Sequence, residues 1–205
     1  MRERVKKCLL VCAGLILWAG IGAGSMACSV SEPAESFDSV DGTFPEGIAK
    51  EPVILTSGGQ SADIHVVDIL LKKGEIHFDR NELLYQNELD GYKTLVIALG
   101  GSTKGLASAG IRAEEELERL HALISAAEEK DMKLVVLHIG GSSRRGEVSD
   151  LFLPDVLSAA DAAIILSEGD EDGKIWKILE EKQVPSLYVD SQAEAIEPLA
   201  GLFEK

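Results

Sequence analysis

The sequence predicts an α/β fold: a single three-layer, Rossmann-like or flavodoxin-like domain around a parallel sheet of five or six strands. Two observations predict it. Short apolar runs that end in glycine- and hydroxyl-rich turns recur four times between Pro52 and Gly173, and such runs read as strands buried on both faces. Stretches with helical apolar spacing separate them, and strands alternating with helices specify a parallel sheet. Ligands of open parallel sheets sit outside the carboxyl ends of the strands, so all four turns are expected along one edge.

The amino-terminal residues carry a different message. Arg2, Arg4, Lys6 and Lys7 precede an uncharged stretch from Cys8 to Gly24, the form of a secretory signal over residues 1–27, with Ser25-Met26-Ala27 as a small-x-small cleavage site. That stretch is shorter than the roughly 20 apolar residues a spanning helix needs. Cleavage leaves Cys28 as the only cysteine, so no intramolecular disulfide can form. Its position resembles a bacterial lipoprotein box, which implies acylation of Cys28 and attachment to the membrane of the cell envelope through that lipid. The alternative is cleavage beside an unmodified thiol, giving a soluble periplasmic or secreted protein. Residues 28–51 read as an acidic flexible tether, because Glu32, Glu35, Asp38, Asp41, Glu46 and Glu51 outweigh Lys50 and apolar periodicity is slight. Such a linker reaches about 30 Å.

Residues 52–205 form the expected domain, long enough to bury about 70% of its unfolded surface without a disulfide or structural metal. The chain has 20 basic and 35 acidic residues; loss of residues 1–27 leaves 16 against 34, a balance of −18, which excludes a nucleic-acid partner. Helical stripes are expected at Ala62, Val66, Ile69 and Leu70; at Leu117, Leu120, Leu123, Ile124 and Ala127; at Ile175, Ile178 and Leu179; and at Ala193, Ile196, Leu199, Ala200 and Phe203. Pro154 must fall in a first turn or bend a helix between Leu151 and Ala160. Glu75 to Asp79 reads as an extra strand, and Asn81 to Asp90 has no assignable pattern.

The turns hold the candidate site. In the first, Ser57, Gly58, Gly59, Gln60 and Ser61 present hydroxyls and an amide beside exposed backbone, and Ser61 and Asp63 suit a helix start. The second, Gly100, Gly101, Ser102, Thr103 and Lys104, has the composition of an anion cradle. Read as a loop to Arg112, it is long for its type, where 2 to 6 residues is usual. It lacks the order of a Walker loop, because Lys104 precedes Gly105, and G-x-G-x-x-G is absent, so neither ATP nor NAD is expected and no cofactor is assigned. In the third, His138 precedes Gly140, Gly141, Arg144 and Arg145; the arginines suit bidentate contact with a carboxylate or phosphate, or pairing with Glu147, Asp150 or the acidic fourth turn. That fourth turn, Glu168 to Gly173, places carboxylates where a helix start favours them. Asp63, His138, Asp150 and Asp170 have no ligand spacing that commends a metal site, and none is expected.

T-S-G-G-Q-S, G-G-S-T-K-G-L and H-I-G-G-S-S-R-R-G with S-D resemble the recurring motifs of an uncharacterised bacterial family of exported single-domain α/β proteins, a domain of unknown function, over about residues 52–203. The resemblance implies the fold and the grouping of these loops, and no reaction. The residues themselves favour a tethered binding protein for a small anionic or zwitterionic solute, with Lys104, Arg144 and Arg145 as the local cations an acidic body needs to capture an anion. An envelope hydrolase or transferase, with Ser57, Ser61 or Ser102 as nucleophile and His138 as base, is the alternative, although G-x-S-x-G is missing. A non-catalytic envelope interaction protein is a third reading.

Overall fold

The apolar runs become strands because each buries alternate residues on opposite faces of one sheet. The computed structural model describes residues 44–45 and 47–203, so the signal, Cys28 and most of the tether lie outside the described residues. Six strands, β1 (Val53–Gly58), β2 (Phe78–Arg80), β3 (Thr94–Leu99), β4 (Lys133–His138), β5 (Ala162–Leu166) and β6 (Ser186–Val189), form a parallel sheet in the order β2-β1-β3-β4-β5-β6. In β3, Leu95, Ile97 and Leu99 enter one apolar cluster while Val96 and Ala98 enter the other, and β4 and β5 alternate the same way. The three-layer, flavodoxin-like arrangement is therefore established.

The described residues hold seven α-helices: α1 (Asp63–Lys73), α2 (Thr103–Ala109), α3 (Ala113–Glu129), α4 (Glu147–Asp150), α5 (Leu153–Ser158), α6 (Lys174–Glu181) and α7 (Ile196–Gly201). α1 and α7 pack on one face, through Val67, Leu70, Leu71 and Leu199; α3, α5 and α6 pack on the other, through Leu120, Leu123, Val156, Ile175 and Leu179. The side on which strands are added switches at β1, since β2 lies on one side of it and every later strand on the other. That switch opens a crevice at the carboxyl edge.

Several local expectations are corrected. The long second loop contains α2, which ends at the left-handed Gly110; only Leu106 of α2 is buried, so no apolar stripe announces it. The buried face of α1 is Asp63, Ile64, Val67, Leu70 and Leu71, while Ile69 is half exposed. Ser57 and Gly58 belong to β1 rather than to a loop. The extra strand falls at Phe78–Arg80, and the residues around Ala193 form a 3-10 turn before α7. Pro154 does occupy the first turn of α5. The packed unit also begins before Pro52: Phe44 and Ala49 are buried, Ala49 bridges to Phe203, and Lys50 N–H donates to Thr94 Oγ1 at 2.9 Å.

Candidate functional site

The four glycine-rich turns follow the carboxyl ends of β1, β3, β4 and β5 and pack on one another. Gly100 N donates to Gly58 O at 2.8 Å, Ser102 N to Gly59 O at 2.9 Å, and Gly101 N to Ser149 Oγ at 3.0 Å. Gly59 sits at φ +101°, and a Cβ there would lie 2.7 Å from Gly100 O. A Cβ on Gly140 would collide with the Cγ of Arg144 and with Asp63 Oδ2, because Arg144 Nε donates to Asp63 at 2.8 Å directly above it. The glycines thus serve close approach between loops, and these backbone N–H groups, expected to face a ligand, are engaged inside the protein. Gly141, at φ +61°, likewise packs against Glu168.

Beneath the first turn lies a buried ion pair. Glu116 and Arg119 of α3 are almost fully excluded from solvent, with Arg119 Nε donating to Glu116 Oε2 at 2.7 Å. Glu116 Oε1 also accepts from Gly59 N at 2.8 Å and Gln60 Nε2 at 3.2 Å, while Arg119 donates to Ser57 O and Leu84 O. Gln60 Nε2 has Glu82 O as its second acceptor, so its amide hydrogens are held internally rather than offered. Residue type alone could have flagged the pair: Glu116 and Arg119 continue the i, i+4 stripe of Leu120 and Leu123.

Arg145 is not free to take a ligand. Its donors go to Asp150 (3.0 and 3.4 Å), to Asp172 (2.9 Å twice) and to Gly169 O (2.6 Å). The acidic fourth turn lies within reach, and its hydrogen bonds hold the guanidinium well above its ordinary pKa. Burial alone would raise Asp150, but Arg145 and Lys174 outweigh it and hold that carboxyl at about 2. From the turn before α6, Asp170 accepts from Ile175 N, Trp176 N and the Tyr188 hydroxyl, satisfying first-turn N–H groups of that helix. His138 is fully buried and its Nε2 pairs with Arg144 O at 3.1 Å; burial pushes its pKa down. Among the described residues no serine hydroxyl bonds a histidine, so no nucleophile and base are joined, and no cluster of metal-ligating side chains forms.

One open cavity of about 410 Å³ lies in the crevice above β1. Of the expected residues it brings together Ser57, Gln60, Ser61, Ser102 and Lys104; it adds His65, Glu82 and Ser108, which the sequence reading missed. Gly58, Gly59, Gly100, Gly101, Gly140, Gly141, Arg144 and Arg145 are not on its wall. Lys104 makes no ion pair among the described residues. Arg80 Nη1 lies 3.2 Å from His65 Nδ1; guanidinium only donates, so this nitrogen accepts and Nε2 carries the hydrogen. Ser57 is 1% exposed, yet its Oγ has no hydrogen-bond partner among the described residues.

Residues 50–203 match a family described as a domain of unknown function, DUF6305. The chain belongs to that family. No curated protein matches the chain. Among solved structures, the psychrotrophic esterase EstA from Pseudoalteromonas sp., in a form inhibited by monoethylphosphonate, is similar with a TM-score of 0.33 and 11% identity over 68% of this chain and 78% of that chain. A GDSL-like lipase from Bacteroides thetaiotaomicron VPI-5482 is similar with a TM-score of 0.32 and 10% identity over 66% of each chain. At this level of similarity neither protein's activity transfers to the DUF6305 domain.

Proposed function

We propose that this DUF6305 domain binds a small anionic or zwitterionic solute in the cavity at the β1/β3 crevice, and that the chain is exported and held at the envelope membrane by a lipid on Cys28. Ser57 Oγ carries the reading. A buried hydroxyl left without a partner costs about 1–3 kcal/mol; Ser57 Oγ has none among the described residues, and Ser57 lines the cavity at the position where doubly wound sheets take ligands. The cavity's volume lies within the range typical of small-molecule sites, about 300–1,000 Å³. Lys104 supplies the cation; Arg144 and Arg145 serve the loops instead. The composition of residues 1–27 supports export, and the context of Cys28 supports the lipid.

The test is a thermal-shift and calorimetric screen of organic acids, phosphate esters and amino acids. Saturation at about 100 times Kd adds about 2.7 kcal/mol of stability. For the ligand found, Lys104→Ala should cost about ten- to a hundredfold in affinity, and Ser57→Ala should weaken binding while leaving stability equal or higher. Unchanged affinity in both variants would place binding elsewhere. Incorporation of a palmitate analogue, abolished by Cys28→Ser, tests the anchor; labelling that survives the substitution refutes it.

A further inference from the structure

Resting on that reading of the cavity, we infer that its solute is a small zwitterion, with an acid group at Lys104 and an ammonium at Glu82. Glu82 follows β2, Lys104 lies in the first turn of α2 after β3, and these strands flank β1 on opposite sides. The two residues therefore line opposite sides of one crevice, with Ser57 on β1 between them. Arg80 Nη2 donates to Glu82 Oε1 at 3.1 Å, which fixes the carboxylate, and the other oxygen has no hydrogen bond among the described residues. Arg80 is itself shared with Asp68 and His65, so it does not pair with Glu82 alone. Lys104 has no carboxylate partner among the described residues. A solute bearing only an anion would satisfy one wall and leave Glu82 facing it across the crevice at like charge; a zwitterion of short span satisfies both and gives its remaining polar atoms to the Ser57 hydroxyl. His65, as the Nε2–H tautomer, adds a neutral donor on the wall near Glu82.

Calorimetry on the parent protein tests this with matched probes: the standard amino acids and 4-aminobutanoate, each beside its analogue without the amine and its analogue without the acid. At least one zwitterion should bind about tenfold or more tightly than both of its analogues. In Glu82→Gln the preference over the amine-free acid should vanish while that acid binds as well as before or more tightly; in Lys104→Ala the preference over the acid-free amine should vanish. Because the first comparison needs no variant, a misfolded substitution does not decide it. Equal binding of the zwitterions and their amine-free acids overturns the inference and leaves an anion site standing. Binding of neither class overturns it together with the reading beneath it.

Discussion

Ser57 and Glu116 both accept from Arg119, the first through its carbonyl, and show two opposite uses of a buried polar side chain. Glu116 is fully excluded from water but collects Arg119, Gly59 N and Gln60 Nε2, so its charge is paired and its oxygens are satisfied. Truncating one partner of such a pair leaves the other charge buried alone, which costs about 3–5 kcal/mol. Glu116→Ala should lower the urea-derived stability by that amount, and a loss under 1 kcal/mol would show that the pair contributes little. Ser57, by contrast, should tolerate alanine in the same assay, because its hydroxyl has no hydrogen-bond partner among the described residues to lose. Single residues were the hardest part of the site to read from sequence. Lys104, Ser102 and Ser57 were legible because a strand end and a hydroxyl-rich turn mark them. Glu82 was not, since it sits in Asn81 to Asp90, where no period exists; for Arg145 the sequence leaves ligand contact and pairing with the acidic fourth turn both open, because the distance to Asp172 is set by two loops meeting in space.

At the scale of elements, the third and fourth turns form one clamp, with Arg145 as its centre and Asp150 and Asp172 as its arms. The folded pKa of Asp150, about 2, lies below the ordinary 3.8. As pH falls, the unfolded chain therefore binds this proton first, so the stabilisation is complete above about pH 4 and is lost as pH falls through about 2. It amounts to roughly 2 kcal/mol. Denaturation curves from pH 6 to pH 2 should show Asp150→Asn less stable than the parent at pH 6, with the gap closing towards pH 2; a constant gap would deny the linkage. His138 works in a separate window with the same slope. Its folded pKa is lowered from 6.5 by burial, so its contribution is intact above that value and declines as pH falls below it. The proton-coupled nitrogen signals of its ring should titrate with a midpoint below 6.5, and a midpoint at or above that value would contradict the burial argument. Strands were the legible elements, because burial on both faces writes itself as an unbroken apolar run. Helix faces were less so: Asp63 occupies an inward position of α1 to meet Arg144, and a carboxylate at that place breaks the apolar pattern and shifts the apparent stripe by one residue.

For the whole molecule, two apolar clusters on opposite faces share the six strands between them, so disturbing one face acts on the sheet that supports the other. The second cluster extends past the expected start of the domain. Residues 44–51 were read as the end of an acidic tether because their composition is that of a linker, and a single phenylalanine and alanine give no period. In the fold, Phe44 is 8% exposed and Ala49 is fully buried in the cluster of α1 and α7, where Ala49 N donates to Leu202 O at 2.8 Å. Lys50 N and Lys50 O both bond Thr94 Oγ1, tying this segment to the first residue of β3. Burying a phenylalanine is worth about 1.5–3 kcal/mol, and each hydrogen bond about 1 kcal/mol. A chain beginning at Phe44 should therefore be more stable than one beginning at Pro52 by about 3–5 kcal/mol, with both unfolding in a single transition. Urea midpoints of the two shortened chains measure the difference directly. The carboxyl-edge cavity lies at the opposite end of β1 from this segment, so a ligand that binds the longer chain should still bind whatever fraction of the shorter one is folded. Equal midpoints would return residues 44–51 to the tether, and a loss of binding without a loss of stability would tie the segment to the site instead.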